Sequence, residues 1–386
     1  MASPVSDDAP TTPRSGKRPT VGDVIDGKYR ITGLLGEGGT GIVYDAEHEG
    51  RQVALKVIHG HLLADKQIRG RFAREAKILR RLSGPHLCPV LEFGEVADPS
   101  QSGTSLLYLA LAKIEGRGLD QILREDGPPP LPRVHDILLQ ILDALASAHA
   151  QGVIHRDLKP ANVLLEKDEK VVVVDFGMAK IMTGGGAPGT TELTAHNMVF
   201  GTPEYMAPEQ ARGDELDARC DVYAVGIILY ELLTGAAPFK ASTPLGVLTA
   251  QLTADPMPPK DKSPERKISP AMNALVIHAL AKDAEARYPS ATAFANALKH
   301  AIESPDDVEG VNPIHYGRQS LMHAATMPAP EPNAPSKPTP VPVRASVRTP
   351  TPAPPAPKPA TKALWVALWI GAVGIGIAIG VWLSMK

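Results

Sequence analysis

"GLLGEGGTGIVYDA", residues 33–46, places five glycines in a stretch that otherwise reads as a β-hairpin, and what those glycines admit to the backbone decides the fold. Gly36, Gly38 and Gly41 spell GxGxxG, with Val43 two residues on. The dinucleotide-binding version of this spacing needs a helix directly after the third glycine. Here Ile42, Val43 and Tyr44, and then residues 52–58 (QVALKVI), are β-branched and strand-like instead. No GxxxxGK[ST] stretch occurs anywhere, so a phosphate loop at a helix N-terminus is also excluded. The glycines therefore sit in a hairpin between two strands. A GxGxxG alone is a weak signal, and its surroundings must carry the reading.

Working outward, Lys56 lies in VALK on the strand after the hairpin, among apolar neighbours that predict burial. A buried ammonium needs an anionic partner. Residues 70–82 (GRFAREAKILRRL) have helical periodicity, with Phe72, Ala76, Leu79 and Leu82 on one side and Glu75 beside that face, so a Lys56–Glu75 pair is expected. A helical pattern over 134–149 leads into VIHRDLKPANVLL, residues 153–165, where His155, Arg156, Asp157, Lys159 and Asn162 crowd between apolar runs. Polar groups that dense between buried flanks are expensive unless they serve a site. The β-branched run 171–174 then ends in Asp175, Phe176 and Gly177, with Asp175 at the strand exit.

The chain as a whole has 386 residues, 43% hydrophobic content and a formal charge of −2, which leaves room for one two-lobed domain or two ordinary ones plus extras and does not suggest a nucleic-acid partner. Cys88 and Cys220 lie far apart without metal-ligand spacing, consistent with a reducing compartment and with neither a disulfide framework nor zinc. Residues 1–27, rich in Ser, Thr, Pro and Asp, are predicted to be a disordered tail, and no early apolar run suggests a signal peptide. Residues 28–302 have globular composition. Residues 303–362 are predicted to be a disordered linker, its proline-rich part favouring extended polyproline II. Residues 363–383 (ALWVALWIGAVGIGIAIGVWL) carry no charge and as a helix would measure about 32 Å, the thickness of a bilayer core. A single transmembrane helix is expected there. Arg344, Arg348, Lys358 and Lys362 on its N-terminal side place the main body on the cytoplasmic face of the inner (plasma) membrane.

Gly-rich hairpin, VALK, HRDLKPAN, DFG and GTPEYMAPE occur in the order and spacing of eukaryotic-like, Hanks-type bacterial Ser/Thr protein kinases, which residues 28–302 resemble. The resemblance implies an α+β bilobal protein-kinase fold, with a β-rich small lobe and a helical large lobe. It implies ATP as nucleotide, Mg²⁺ (or Mn²⁺ in its place) and protein substrates. The nucleotide site carried over comprises Gly36, Glu37, Gly38, Gly39, Gly41, Val43, Ala54, Lys56, Glu75, Ala112, Asn162 and Asp175. Gly36, Gly38 and Gly41 would let backbone N–H groups approach the phosphates, and Lys56, oriented by Glu75, would hold the α- and β-phosphates. Asn162 and Asp175 are the implied metal ligands, Asp157 the acceptor of the substrate hydroxyl proton, and Lys159 a stabiliser of the transferred phosphate. His155 is implied to be structural, packed near Phe176.

Lys159 and Thr202 resemble the Ser/Thr-specific branch, and Arg156 marks the class in which a phosphorylated activation segment docks on that arginine. Thr194 is the first phosphorylation candidate, with Thr191 and Thr190 behind it, and trans-autophosphorylation would use a second copy as partner. Asp221 is expected to cap the catalytic-loop backbone and Glu209 to pair with Arg287. Two departures stand out: Thr40 replaces the usual aromatic or methionine at the hairpin tip, and Leu111, Ala112 and Lys113 occupy the stretch that lines the adenine. A scaffold without catalysis would need neither a metal site nor a base, and the chain retains both.

Overall fold

In the computed structural model, which describes residues 18–39, 41–58, 66–97, 105–177 and 202–316, Gly38 faces Gly41 as the last pair of an antiparallel hairpin. Its arms are β2 (Tyr29–Gly38) and β3 (Gly41–His48), and β3 pairs in turn with β4 (Arg51–Ile58). With β1 (Val24–Ile25), β5 (Val90–Ala97) and β6 (Ser105–Ala112) they form one sheet in the order β1-β2-β3-β4-β6-β5. The alternation of strand side chains sorts this sheet into two faces. Val53, Leu55 and Val57 of β4 join Ile25, Tyr29, Ile31, Tyr44 and Tyr108 in a small apolar core. Ala54, Lys56 and Ile58 point the other way. Across the ladder Val43 is opposite Lys56, Lys56 opposite Leu109, and Ala54 opposite Leu111, so these five residues share one face.

Helix α1 (Lys66–Leu79) covers part of that face with Phe72, Ala76 and Leu79, all buried. These are three of the four positions the helical periodicity selects; Leu82 follows the helix and is partly buried. The folded part starts ahead of the boundary expected at residue 28. Tyr44 Oη donates to Pro19 O at 2.9 Å, Ile25 is fully buried, and β1 pairs with β2, so residues 18–27 are ordered against the sheet, with Val24–Ile25 as its edge strand. Sparse apolar content hid this, because a single Ile25 and backbone pairing anchor the segment.

After a short α2 (Leu119–Glu125), α3 (Leu131–Ala150) buries Val134, Ile137, Leu138, Ile141, Leu142 and Leu145 at helical spacing. A small sheet follows, in the order β7 (Gly116–Gly118), β8 (Val163–Glu166), β9 (Val171–Val173). Beyond it come α4 (Pro208–Arg212), α5 (Arg219–Thr234), α6 (Pro244–Thr253), α7 (Pro259–Lys262), α8 (Pro270–Ala279) and α9 (Ala291–Glu303). Helix α5 is buried almost all round, as its near-continuous apolar sequence demands. It ends at Gly235, whose φ of 77° suits glycine and whose N–H returns to Glu231 O at 2.7 Å.

Order extends past the boundary expected at 302. Tyr288 Oη donates to Val311 O at 2.6 Å, its ring stacks on Phe294, and Tyr316 Oη donates to Gly310 O, which pins residues 304–316 to the helical part. A sheet-rich N-terminal part and a helical C-terminal part are therefore observed. No helix among the described residues is long and apolar enough to cross a membrane, and residues 363–383 lie outside them.

Candidate active site

The face shared by Val43, Ala54 and Lys56 looks onto the end of the small sheet. Lys56 is almost wholly buried, and its Nζ donates to Asp175 Oδ2 at 2.7 Å, a residue 119 positions away. Asp175 has φ +64° directly after the β9 strand region, a left-handed conformation unusual for a residue with a Cβ. The partner given to Lys56 is thus the carboxylate at the exit of β9. Glu75, the partner expected from helical periodicity, stands half-buried on α1. Behind the pair a small apolar recess is lined by Leu79, Cys88, Leu109, Leu111 and Phe176. Burial, with the Asp175 charge adding to it, pushes the Cys88 thiol up to about 12, so it stays protonated at neutral pH.

The glycines separate into two kinds. A Cβ at Gly41 would collide with the carbonyl of Val57, so this glycine is required by the close approach of β3 to β4. A Cβ at Gly36, Gly38 or Gly39 would meet nothing within 4 Å. The fold leaves open space beside these three, the place where a ligand would come near the backbone. Gly41, one of the three motif glycines expected to serve phosphate approach, thus has a packing reason of its own as well. Thr40, at the tip, lies outside the described residues.

The polar block 155–162 is held by Asp221 from α5. Its Oδ2 accepts from His155 N at 2.8 Å and its Oδ1 from Arg156 N at 2.9 Å, while His149 Nε2 lies 2.8 Å from Oδ2. Burial alone would raise this carboxyl; the His149 and His155 rings and the Arg156 N–H outweigh it and hold the group below the usual carboxylate range. Capping by Asp221 was expected from the sequence, whereas His149 as a third partner was not. The His155 ring donates from Nε2 to Val174 O at 2.9 Å and packs 4.6 Å from the Phe176 centroid, which makes it structural. Its Nδ1 is then left to accept from Asp157 N at 3.3 Å.

Around Asp157 the geometry is tight. Lys159 Nζ lies 3.0 Å from Asp157 Oδ2 and donates to Thr202 Oγ1 at 3.3 Å. Asn162 Nδ2 donates to Asp157 O at 2.8 Å, which leaves the Asn162 carbonyl oxygen without a use in that bond. Val174 N donates to Asn162 O at 2.9 Å, so the strand that delivers Asp175 is tied directly to the loop that carries Asn162. Arg156, at φ +68°, has Nε and Nη1 buried with no hydrogen-bond partner among the described residues. At the stretch expected to line the adenine, Ala112 N donates to Pro89 O at 3.0 Å and Lys113 Nζ pairs with Asp45 at 2.8 Å. The Ala112 carbonyl accepts from Cys88 Sγ at 3.5 Å and keeps a second lone pair. Thr190, Thr191 and Thr194 lie outside the described residues.

Two supporting contacts frame the site. Arg287, wholly buried, donates from both terminal nitrogens to Glu209, at 2.7 and 2.8 Å, as the sequence led one to expect. Tyr205 Oη donates to Glu231 Oε2 at 2.6 Å, and burial raises the Glu231 carboxyl. This second contact, and the involvement of Gln251 described below, carried no local signal, because their partners sit on distant helices.

Residues 29–301 match the family model for the protein kinase domain. The chain is 45% identical over 285 residues to the serine/threonine-protein kinase pkn3 of Myxococcus xanthus, covering 72% of this chain and 51% of the relative. It is 36% identical over 312 residues to the serine/threonine-protein kinase PknH of Mycobacterium tuberculosis, covering 80% of this chain and 47% of that one. A probable serine/threonine-protein kinase PknB of Corynebacterium glutamicum is 36% identical over 298 residues, 74% of this chain and 45% of the relative. The chain thus spans about half the length of the curated relatives it matches.

Proposed function

The chain belongs to the protein kinase family, and on that footing we propose that it is a serine/threonine protein kinase, moving the γ-phosphoryl group of ATP to protein hydroxyls. One observation carries this reading: Lys56 on Asp175 and Lys159 on Asp157 meet on a loop and a strand end that are hydrogen-bonded to each other. Phosphoryl transfer passes through a loose transition state, so the protein's share is positioning and charge neutralisation. Lys56 receives the α- and β-phosphates once it leaves Asp175, with Glu75 as the carboxylate that orients it. The open space beside Gly36, Gly38 and Gly39 lets backbone N–H groups reach the phosphates.

The donor set suits a magnesium ion. Asp175 contributes a partly exposed carboxylate and Asn162 a carbonyl oxygen, both hard ligands. No group of three or more His, Cys, Asp or Glu side chains forms a metal cage among the described residues, in keeping with an ion that retains water and takes its other ligands from phosphate. When bound, the ion supplies neutralisation of the charge on the phosphate oxygens. Asp157 accepts the proton of the substrate hydroxyl, and Lys159, 3.0 Å from it, steadies the transferred phosphate. Thr202, bonded to Lys159, ties the base to the turn that follows at Pro203–Tyr205.

Activation by phosphorylation of Thr194, Thr191 or Thr190 is part of the same proposal. The unpartnered Nε and Nη1 of Arg156 are suited to a phosphate, which would add two or more charge-assisted hydrogen bonds. Residues 363–383 act as a membrane tether with the kinase domain on the cytoplasmic side, on the strength of their length and lack of charge. The test of the catalytic reading is the full chain with magnesium and radiolabelled ATP. Wild type should label itself, and Asp157→Asn should do so on the order of 10² to 10⁴ times more slowly. Equal labelling by both proteins would overturn the assignment.

A further inference from the structure

Gln251 of α6 is wholly buried, and its amide is used at both ends. Nε2 donates to Glu204 O at 2.6 Å and to Pro203 O at 3.3 Å, while Oε1 accepts from Tyr223 Oη at 2.5 Å. Tyr223 Oη in turn accepts from Lys282 Nζ at 3.2 Å. The order of these bonds is enforced from both ends, by the ammonium outside and by the two backbone carbonyls inside. An ammonium only donates, so the hydroxyl in front of it accepts there and sends its own hydrogen elsewhere. The amide must then present its oxygen to that hydrogen and its NH₂ group to the two carbonyls. A flipped amide would set oxygen against oxygen at both carbonyls.

What the chain of bonds holds is small and close to the chemistry. Pro203–Tyr205 is a single turn of 3₁₀ helix, too short to fix its own place. Thr202 at its start is bonded to Lys159, which contacts Asp157. At the outer end Lys282 is half-buried, with Nζ 4.0 Å from the Phe239 ring centroid and 5.7 Å from that of Tyr223. The Arg287 guanidinium lies 4.7 Å from the Tyr223 centroid while it is bound to Glu209, a second contact that holds the phenol.

We propose that Lys282, Tyr223 and Gln251 form a relay of positioning residues that sets the Thr202–Tyr205 turn against Asp157, and thereby governs how well a peptide substrate engages while leaving nucleotide binding alone. The proposal rests on the kinase reading above. It also makes peptide engagement sensitive to alkaline pH. Burial lowers the Lys282 amine to about 8, Asp255 opposing the fall and Arg287, itself neutralised by Glu209, adding to it. Once neutral, the amine still donates to Tyr223 Oη but without charge assistance, so the outer end of the relay is held more weakly.

The experiment uses the full chain, with dephosphorylated casein and ATP varied in turn. Gln251→Leu and Tyr223→Phe should each raise the casein KM about tenfold with the ATP KM unchanged, the loss expected when one buried hydrogen bond goes. Lys282→Met should do the same and Lys282→Arg should restore the wild-type value. From about pH 7 to about pH 9 the wild-type casein KM should climb while that of Lys282→Arg stays flat, because a guanidinium does not titrate there. Thermal melts separate the relay from general support: variants that lose stability with an unmoved casein KM, or whose ATP KM moves equally, overturn it. A failed Lys282→Arg rescue overturns it too. A wild type that labels neither itself nor casein overturns the kinase reading and the relay together, whereas a labelling wild type with indifferent variants overturns the relay alone.

Discussion

Lys56 Nζ and Asp175 Oδ2 are 2.7 Å apart, joining the fourth strand of the large sheet to the exit of the last strand of the small one. On the proposed reading, the nucleotide claims Lys56 and the metal claims Asp175, the two partners of this bond. Lys56→Met replaces a buried ammonium by an apolar chain of similar length and leaves Asp175, which is partly exposed, to water, so the protein should fold with a loss of stability smaller than the ~3–5 kcal/mol of a fully buried pair. Phosphoryl transfer should fall by on the order of 10² or more, and chelation of magnesium should abolish it in wild type. Labelling assays beside thermal melts check this, and an active Lys56→Met would remove Lys56 from the phosphate site.

Glu209 and Arg287 are a buried, two-pronged ion pair, and Arg287 also donates to Ala281 O, Arg219 O and Lys282 O. Removal of one charge strands the other. Arg287→Ala and Glu209→Ala should each cost about 3–5 kcal/mol in denaturant unfolding. Glu209→Leu combined with Arg287→Met should cost much less than the sum, because no unpaired charge remains. Additive losses would show that the two groups are not coupled.

Asp221 imposes a pH dependence. Its folded-state pKa lies below the unfolded value, so its stabilising contribution is complete above the ordinary carboxylate range and is lost as pH falls through the folded value. Asp221→Asn should lower stability by about 2–3 kcal/mol near neutral pH. Urea midpoints of wild type and variant should converge below about pH 4. A gap of constant size down to about pH 3 would deny the linkage.

The segments outside the described residues yield their own test. Deletion of residues 363–383 should move the protein from the membrane pellet to the supernatant with its labelling activity intact. Mass spectrometry of wild type should find phosphate on Thr194, Thr191 or Thr190, and Asp157→Asn should lack it. A wild type already soluble would refute the tether, and an unmodified 190–194 stretch in active protein would refute the phosphorylation sites.

Much of the site was legible because its signals are local. The β-branched runs around the glycines, the periodicity ahead of HRDLKPAN and the polar block itself act over a few residues, where sterics and alternation decide the outcome. The structure brings Lys56, Val43 and Ala54 to one face as alternation requires, and places Asp157, Lys159 and Asn162 within one hydrogen-bonded loop. The boundaries were less legible. Residues 18–27 and 304–316 have too little apolar content to announce a core of their own, and they are ordered by Tyr44, Tyr288 and a neighbouring strand.

From the sequence alone came the hairpin and the order of the motifs, while the roles of the motif residues and the pairing of Glu209 with Arg287 were implied by the family resemblance. Tertiary structure alone decided that Lys56 meets Asp175, that Gly41 yields to a neighbouring strand while Gly36 and Gly38 border open space, and that Gln251 is wired to Lys282. The physical reason is range. Backbone sterics and side-chain periodicity are settled within a turn or a strand, whereas the partner of a buried charge or amide is settled by which of many distant groups the packing brings within three ångströms or so.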